Sequence, residues 1–282
     1  AFVALPDVAD VIGHGPSKSS IRFTSGLQVD LRVVTDAQFP FTLHHFTGSK
    51  DHNEAMRSRA KGMGLKINEY GLFRGDDLIP CADEVAFFNA LGMAYVAPEL
   101  REGLDEIALA ERNQLPDLVT EDQIQGVFHV HSTYSDGAAT LERMAEEAQR
   151  LGYRYMGISD HSQAAAYAHG LTIDRIREQH AEIEALNARL DGFRILKGIE
   201  ADILADGSID YDEETLGLFD FVIASVHQRF GLDEAAMTER IVTAIRHPRV
   251  TMLGHMTGRL LLAREPYDLD LERVFKEAAE HG

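Results

Sequence analysis

The second half of the chain alternates strand-like apolar runs with amphipathic helices, and this alternation constrains the fold more than any other feature of the sequence. The apolar runs lie at 127–130, 155–158, 194–199, 219–226 and 250–253. Helical patterns lie between and after them, at about 141–151, 173–190, 234–246 and 270–280. Because strands separated by helices usually pair in parallel, residues 126–282 are predicted to form a mostly parallel α/β domain.

Each predicted strand leads into side chains of the kind that bind metal ions. They are His129 and His131 with the first strand, Asp136 in the loop beyond it, Asp160 and His161 after the second, Glu200 after the third, His227 after the fourth and His255 after the fifth. A spacing of two predicts that His129 and His131 share one face of a strand. In a parallel barrel the carboxyl ends of all strands open on one face, so these side chains are expected to converge.

The chemistry of these donors indicates a metal centre. Imidazoles and carboxylates without a thiolate favour zinc, manganese or iron over calcium or magnesium. The predicted ligands exceed the three or four of a single catalytic zinc, so a centre of two or three ions is predicted. Such centres stabilise both oxygens in an in-line displacement at phosphorus, which predicts phosphoester hydrolysis. Arg259, four residues after His255, is a candidate for contacting the phosphate.

The first part of the chain has a different pattern. Alternating residues around a Ser25-Gly26 turn predict a hairpin over 20–34, with Asp30 on the face opposite the apolar one. A helix is predicted over 49–63, with Ser49 as its N-cap, and another over 83–93.

Residues 99–125 are strongly acidic, follow Pro98 and are predicted to form a linker with one short helix at most. The predicted organisation is therefore a first domain at 1–98, an acidic linker at 99–125 and the α/β domain at 126–282. Both ends of the chain are expected to be cuts within a longer protein.

The charge of the chain is -19, from 27 Lys and Arg against 46 Asp and Glu. This balance by itself argues against a nucleic-acid partner, which usually selects a basic surface. Residues 18–66, however, carry eight basic and four acidic side chains. A single cysteine, Cys81, excludes an intrachain disulfide and favours a reducing compartment. Since no apolar run reaches the ~18 residues of a membrane span, a cytoplasmic protein without membrane contact is expected.

The motifs VFHVHSTYSDG, ISDHS, GIEADI, ASVH and GHMTGR occur in that order and resemble the PHP (polymerase and histidinol phosphatase) superfamily. The resemblance spans 126–282 and implies a distorted (β/α)7 barrel with a trinuclear metal site. The Asp-x-His-like pair that closes the family pattern would fall beyond residue 282. The barrel is therefore expected to be incomplete at its C-terminal end, and one metal position is expected to lack ligands.

The resemblance also implies how the ligands divide among Mn²⁺ or Zn²⁺ ions. One ion is expected at His129, His131 and Glu200, a second at Glu200, His227 and His255, and a third at Asp136 and His161. Asp160 is expected to act beside these ligands, and it is grouped with Arg259 as a candidate catalytic residue.

The segments LQVDLRVV and HHFTGSKDHNEAMRSRAKGMGLKINEYGLF resemble the end of the palm and the thumb of a family X DNA polymerase, an α+β arrangement. Asp30 would then be the third of three palm carboxylates that hold Mg²⁺. The other two would precede residue 1, so polymerase activity is not expected of this chain. The candidate nucleotide- and DNA-binding residues are Thr47, Gly48 and Ser49, at the start of a helix whose N–H groups can meet phosphate, and Asn53 and Arg57, on one face of that helix.

Together the two halves resemble bacterial DNA polymerase X, in which a family X polymerase carries a C-terminal PHP domain with 3′–5′ exonuclease activity. The predicted function is a metal-dependent phosphodiesterase acting on DNA with a gap or a free 3′ end, with deoxynucleotides as further ligands. Two alternatives stay open. One is a PHP-type phosphatase of small phosphomonoesters such as histidinol phosphate, and the other is a DNA-gap-binding module whose PHP domain is only a scaffold.

Overall fold

The computed structural model describes residues 1–281, which divide into two compact units, residues 1–118 and the residues from 119 on. The first unit contains β1 (Val8–His14), β2 (Lys18–Phe23), β3 (Gln28–Arg32), α1 (Phe39–Thr47), α2 (Lys50–Gly62), β4 (Lys66–Asn68), β5 (Gly71–Arg74), β6 (Asp77–Ile79), α3 (Glu84–Ala90) and α4 (Glu106–Glu111). The second contains β7 (Gly126–Val130), α5 (Leu141–Arg150), β8 (Tyr155–Ile158), α6 (Ile173–Asn187), β9 (Arg194–Asp202), α7 (Glu213–Leu216), β10 (Phe221–Ser225), α8 (Glu234–Ile245), β11 (Met252–Leu253) and α9 (Leu271–His281).

The predicted hairpin near the N-terminus is confirmed as β2 and β3, which pair antiparallel. Gly26 has a φ of +88° at the turn, a conformation that costs glycine little. The preceding strand β1 adds to β2, so the sheet has the order β1-β2-β3. Asp30 lies opposite Ser20 in this sheet, and it is exposed.

Two helices joined by a tight turn form the centre of the first unit. The predicted N-cap is confirmed, because the Ser49 hydroxyl accepts a hydrogen bond from the His52 N–H at the start of α2. Thr47 belongs to the preceding helix α1, and its hydroxyl donates to the Leu43 carbonyl at 2.7 Å. The apolar side chains of the two helices pack on those of α3 and its flanks, where the core includes Phe41, Met56, Ala60, Phe87, Phe88 and Leu91.

The start of the predicted acidic linker instead packs into the first unit. Arg101 is 1% exposed and Glu106 is 4% exposed, and Ala110 of α4 belongs to the apolar core. The division between the two units falls after Leu118. Composition was misleading here because the buried charges are paired within the fold, whereas the sequence shows only that they are numerous.

Arg101 connects the start of the predicted linker to the rest of the first unit by hydrogen bonds. Its Nε donates to the Val96 carbonyl at 2.9 Å, and its Nη1 donates to Glu84 Oε1 at 2.8 Å and to the Thr47 hydroxyl at 2.5 Å. The guanidinium also lies 5.4 Å from the centre of the Phe88 ring, a distance suited to a cation–π contact. The turn between α1 and α2 is therefore supported by residues some fifty positions further along the chain.

The second unit is a sheet of five strands in the order β11-β10-β9-β8-β7, all in parallel pairings. Its strands and helices agree with the predicted alternation, and five parallel strands connected by helices form part of a (β/α) barrel. Apolar side chains from β9, β10 and α8 form one core, and those of β8, β9, α5 and α6 form another. The carboxyl ends of neighbouring parallel strands lie at one edge of this sheet.

The helices of the second unit begin as the sequence predicts. In α5 the side chains of Leu141, Ala145 and Ala148 are buried at the spacing of one helix face, and the Thr140 hydroxyl caps the first turn. Helix α7 was not predicted, since its four residues are too few to show a period. Within residues 1–281, no helix has the length and apolar character that spanning a membrane requires.

A buried line of titratable groups crosses the first unit. His44 Nε2 lies 3.1 Å from His52 Nε2, and His52 Nδ1 lies 2.7 Å from Glu106 Oε1. Burial lowers the pKa of His44 to about 3, and the positive charge of Arg101 adds to that effect. Burial also lowers the pKa of His52, although its hydrogen bond to Glu106 opposes the change. Both imidazoles are therefore neutral in the folded unit at neutral pH.

The first unit is predicted to lose stability as the pH falls from 7 to 5. A histidine with a lowered folded pKa binds its proton more readily in the unfolded chain, so its contribution is present above about 6.5 and is lost below it. One such group costs about 2 kcal/mol of unfolding free energy at pH 5. Urea pulse proteolysis, with mass spectrometry of peptides from 39–111, measures this loss.

His44→Gln removes one of these titrating groups and should reduce the loss, whereas His14→Gln should not. A pH dependence as steep in His44→Gln as in the unsubstituted chain would contradict this account.

Candidate metal centre

Five histidines converge on the buried carboxylate of Glu200. They come from β7 (His129) and the loops after β7, β8, β10 and β11 (His131, His161, His227 and His255). Glu200 itself lies inside β9 and its side chain is 1% exposed. The strand continues two residues beyond Glu200 because Asp202 still pairs with Ser225 of β10. The convergence predicted from parallel strand ends is therefore observed.

The two oxygens of Glu200 divide the imidazoles between them. Oε1 lies 2.8 Å from His255 Nε2, 3.0 Å from His129 Nε2 and 3.2 Å from His227 Nε2. Oε2 lies 3.1 Å from His161 Nδ1 and 3.4 Å from His131 Nε2. A single buried carboxylate thus stands at the middle of the whole cluster.

Two groups of donors are close enough to surround one ion each. His129, Glu200 and His255 form the first group, and His131, His161 and Glu200 form the second. In each, the ligand atoms lie within 4.8 Å of one another, and Glu200 belongs to both. This arrangement differs from the predicted one, in which His129 and His131 shared an ion.

The backbone of β7 explains why the two neighbouring histidines separate. His129 has a φ of +60°, which is not an extended conformation. The pairing of β7 with β8 also shifts register between Val127 and Val130, as at a β-bulge. The alternation rule assumes a regular strand, so it could not predict how the imidazoles divide. Their ring centres are nevertheless only 5.4 Å apart.

The residues fit divalent metal ions. His131 Nδ1 and His161 Nδ1 are both buried and have no hydrogen-bond partner among the residues that the structure describes. The 3.1 Å approach of His161 Nδ1 to Glu200 therefore lacks the geometry of a hydrogen bond. Buried polar atoms without partners are costly, and a metal ion would satisfy these two. A donor set of imidazoles with one shared carboxylate and no thiolate is typical of zinc, manganese or iron.

The protonation of the cluster follows from burial and from the shared carboxylate. Burial alone would raise the pKa of Glu200, but hydrogen bonds with His129, His227 and His255 outweigh it and hold that pKa far below its ordinary value. Burial lowers the pKa of His161, and the neighbouring imidazoles add to that effect against the charge of Glu200. Glu200 is therefore a permanent negative charge in this site.

Asp202 orients one of the imidazoles, and the sequence analysis did not identify it. His227 Nδ1 lies 2.6 Å from Asp202 Oδ1, while its Nε2 faces Glu200. Burial lowers the pKa of His227, but the hydrogen bonds to both carboxylates outweigh burial and raise that pKa to about 9. A carboxylate behind a metal-binding imidazole fixes the ring orientation. Its position two residues after Glu200 on the same strand was the available signal.

Asp160 is surrounded by hydrogen-bond donors. Its carboxylate is fully buried and accepts hydrogen bonds from the Ser132 N–H at 2.7 Å, the Ser132 hydroxyl at 2.6 Å, the Ser135 hydroxyl at 2.5 Å and Gln179 Nε2 at 2.5 Å. These four donors occupy about all the acceptor sites that a carboxylate offers. The Asp160 oxygens therefore hold the loop that follows His131, which agrees with the expected place of Asp160 beside the ligands, while its role as a catalytic residue stays a prediction.

The remaining predicted residues of this site are more exposed. Asp136 keeps 47% of its side-chain surface exposed, and its Oδ1 lies 3.7 Å from both His131 Nδ1 and His161 Nε2. It borders the second group of donors but lies outside it. Arg259 is exposed and follows Gly258, which has a φ of +61°.

In the first unit, three of the predicted nucleotide-binding residues have local structural contacts. The Ser49 N–H donates to the Arg101 carbonyl at 2.9 Å, and the Thr47 hydroxyl accepts from the Arg101 guanidinium. Asn53 is buried, and its Nδ2 donates to the carbonyls of His45 at 3.0 Å and Gly48 at 3.1 Å. These contacts brace the turn that joins α1 and α2.

Gly48 and Arg57 complete the predicted set. A Cβ on Gly48 would lie 3.0 Å from the His52 ring and 3.3 Å from the Asn53 amide, so the turn favours glycine there. Arg57 lies on α2 with an exposed side chain, one turn beyond Asn53. The helix thus presents one arginine to solvent next to a braced turn.

Comparison with known families agrees with both units. Residues 128–279 match the PHP domain and residues 42–102 match the DNA polymerase beta thumb. The PHP match covers more than half of the chain, so the chain belongs to the PHP domain family. It carries a polymerase beta-type thumb in front of that domain.

The chain is similar to relatives of two kinds. It is 42% identical over 281 residues to the DNA polymerase/3′-5′ exonuclease PolX of Bacillus subtilis, a match that covers 98% of this chain and 49% of that protein. It is 31% identical over 164 residues to a probable phosphatase of Caldicellulosiruptor saccharolyticus, covering 55% of this chain and 61% of that protein. The chain therefore spans between about half and about three fifths of the length of these relatives.

Glu200→Gln is predicted to abolish metal binding by the PHP unit. The amide removes the negative charge that both groups of donors share, and it turns one acceptor oxygen into a donor. Metal content after dialysis against Mn²⁺ or Zn²⁺, measured by plasma mass spectrometry, should fall to background. Glu184→Gln, at an exposed site that pairs with Lys197, should retain the metal of the unsubstituted chain. Full metal content in Glu200→Gln would show that the ions bind elsewhere.

Proposed function

We propose that the chain is part of a metal-dependent phosphoesterase that removes nucleotides from the 3′ ends of DNA. The observation that carries this proposal is a carboxylate shared by two groups of histidines, in a chain that also has a polymerase thumb. The similarity to a relative named as a 3′-5′ exonuclease extends over both units. Phosphoester hydrolysis is the chemistry for which closely spaced divalent ions are typical.

We assign the ligands as the two groups around Glu200, with His227 and Asp136 completing the coordination. Mn²⁺ or Zn²⁺ is the proposed ion, since imidazole nitrogen is the dominant donor. Divalent ions at such a site supply Lewis-acid stabilisation for negative charge that develops on phosphoryl oxygens.

The side chains around the ligands have positioning roles in this proposal. The Asp202 carboxylate holds His227 with Nε2 directed at Glu200. The Asp160 carboxylate holds the loop of residues 132–135, and that loop connects His131 to Asp136. Because both carboxylates are buried, water does not compete for these hydrogen bonds, and the donors stay oriented. Arg259 is proposed to bind a phosphate of the substrate.

DNA binding by the first unit is proposed to depend on the braced turn and on Arg57. Asn53 and Ser49 set the geometry between α1 and α2, while Arg57 contacts the DNA. Residues 18–66 carry more basic than acidic side chains, as phosphate contacts require. Asp30 is exposed on β3 and is proposed to act with Mg²⁺ as a palm carboxylate, with deoxynucleotides as the ligand.

A phosphatase acting on small phosphomonoesters is the second candidate function. The probable phosphatase from Caldicellulosiruptor saccharolyticus supports it, since its match covers 55% of this chain. That candidate leaves the thumb without a role. Rates on p-nitrophenyl phosphate and on a 3′-ended oligonucleotide distinguish the two functions, and a preference for the small ester would overturn the exonuclease proposal.

Chelation is predicted to abolish release of nucleotides from the 3′ end of a labelled oligonucleotide, and added Mn²⁺ should restore it. His129→Ala should lower the rate by more than about 100-fold, because even residues behind the ligands contribute about 10- to 100-fold in such sites. The control His247→Ala changes a histidine outside the cluster and should keep the unsubstituted rate. Nuclease activity that survives EDTA or His129→Ala would refute the proposed function.

Arg57→Ala is predicted to weaken binding to gapped DNA without changing the thermal stability of the chain. The loss of one phosphate contact should reduce the slope of log K against log salt by about one. Fluorescence anisotropy at several salt concentrations measures both the affinity for gapped DNA and its dependence on salt. Arg74→Ala removes an equal charge from the end of β5 and is the control. Equal effects of the two substitutions would mean that Arg57 contributes only to net charge.

A further inference from the structure

An exposed aromatic side chain lies beside the proposed metal centre and has no role in the assignments above. Tyr167 follows β8, and its ring centre lies 6.1 Å from that of His161 and 6.3 Å from that of His227. The residue is 66% exposed, whereas Ala165, two positions before it, and Ala168, directly after it, are buried. Removing a tyrosine ring from water is favourable in free energy. Its exposure at this position therefore leaves a contact surface available next to the ligands.

The loop that carries Tyr167 is held in place from several sides. Leu171 N donates to the His161 carbonyl at 2.8 Å, and Ala164 N donates to Asp210 Oδ2 at 2.7 Å. A Cβ on residue 170 would lie 1.8 Å from the Ser162 carbonyl oxygen, so only glycine allows this close approach.

A second tyrosine ties both ends of the loop together. The Tyr211 hydroxyl accepts a hydrogen bond from Gln163 N at 3.0 Å and donates to the Leu171 carbonyl. Tyr167 is therefore presented on a fixed loop, and a substrate that binds there does not first have to order it.

We propose that the ring of Tyr167 stacks on the base of the 3′-terminal nucleotide while its phosphodiester lies at the histidine cluster. This inference rests on the proposed exonuclease function and identifies Tyr167 as the residue that selects a 3′-terminal nucleotide with a base. Tyr167 flanks both His161 and His227, which contact opposite oxygens of Glu200, so a base over the ring lies one sugar away from the phosphate. Stacking accepts all four bases because each has a π face. The site would then prefer nucleotide esters to phosphates without a base, and it would do so independently of sequence.

The test compares two oligonucleotides that differ only in having a base or an abasic sugar at the 3′ end. The metal-loaded protein should cleave the first with a kcat/KM about 5- to 150-fold higher, the range expected for one stacked base. Tyr167→Ala should remove this preference by slowing only the substrate with the base. Tyr167→Phe should keep the preference, because it retains the ring and lacks only the hydroxyl. Tyr70→Ala, at an exposed tyrosine of the first unit, is the matched control.

Binding supplies a readout that does not depend on turnover. An oligonucleotide with 2-aminopurine at its 3′ end and a hydrolysis-resistant phosphorothioate should lose fluorescence on binding to the unsubstituted protein and to Tyr167→Phe, but not to Tyr167→Ala. Equal losses of rate on both substrates in Tyr167→Ala, with unchanged quenching, would overturn stacking and leave the exonuclease function intact. An unsubstituted protein that cleaves neither oligonucleotide would overturn both proposals.

Discussion

The second unit depends on one negative charge, the carboxylate of Glu200, which is buried among five imidazoles. An isolated carboxylate in such a position would be neutralised or hydrated, because its desolvation costs far more than a typical folding contact contributes. The imidazoles around Glu200 hold it ionised, and each of them comes from a different loop or strand, apart from the pair at β7. This charge therefore links the ends of five strands. An ion bound there would replace the existing contacts between the imidazoles and the Glu200 carboxylate.

The environment behind the histidines gives the cluster its rigidity. Asp202 fixes one ring and Asp160 fixes the loop between two ligands, and both carboxylates are buried with short hydrogen bonds. Neither of them faces solvent, so their contribution is to geometry. This division between an exposed rim, where Asp136 and Tyr167 lie, and a buried support suits a site that binds ligands. The rim must exchange substrate while the support stays fixed.

The first unit also combines buried supporting side chains with exposed ones. Its turn between α1 and α2 is held by the side chain of Asn53 and by Arg101, which comes from the segment predicted to be a linker. The buried guanidinium of Arg101 pairs with Glu84, and the side chain of Arg57 is exposed on α2. The side chains of Thr47 and Asn53 therefore have hydrogen-bond partners within the turn itself.

Several elements could be predicted because their signals are local. The Ser49 cap, the Gly26 turn and the apolar face of α5 each depend on residues within a few positions of one another. The rule that successive side chains point to opposite faces of a strand was reliable except in β7, where the backbone at His129 departs from an extended conformation. The linker prediction differs from the structure because charge density along a sequence does not show which charges find buried partners.

The sequence by itself determined the alternation of strands and helices in the second unit and the ligand types at the strand ends, since both follow from periodicity and residue chemistry. Only the tertiary structure decided which histidines share an oxygen of Glu200, that Asp160 supports a loop, and that Tyr167 lies beside the cluster. Those relations join residues that are tens of positions apart in the chain. Their distances depend on strand register, loop path and burial, which the packing of the whole unit settles together.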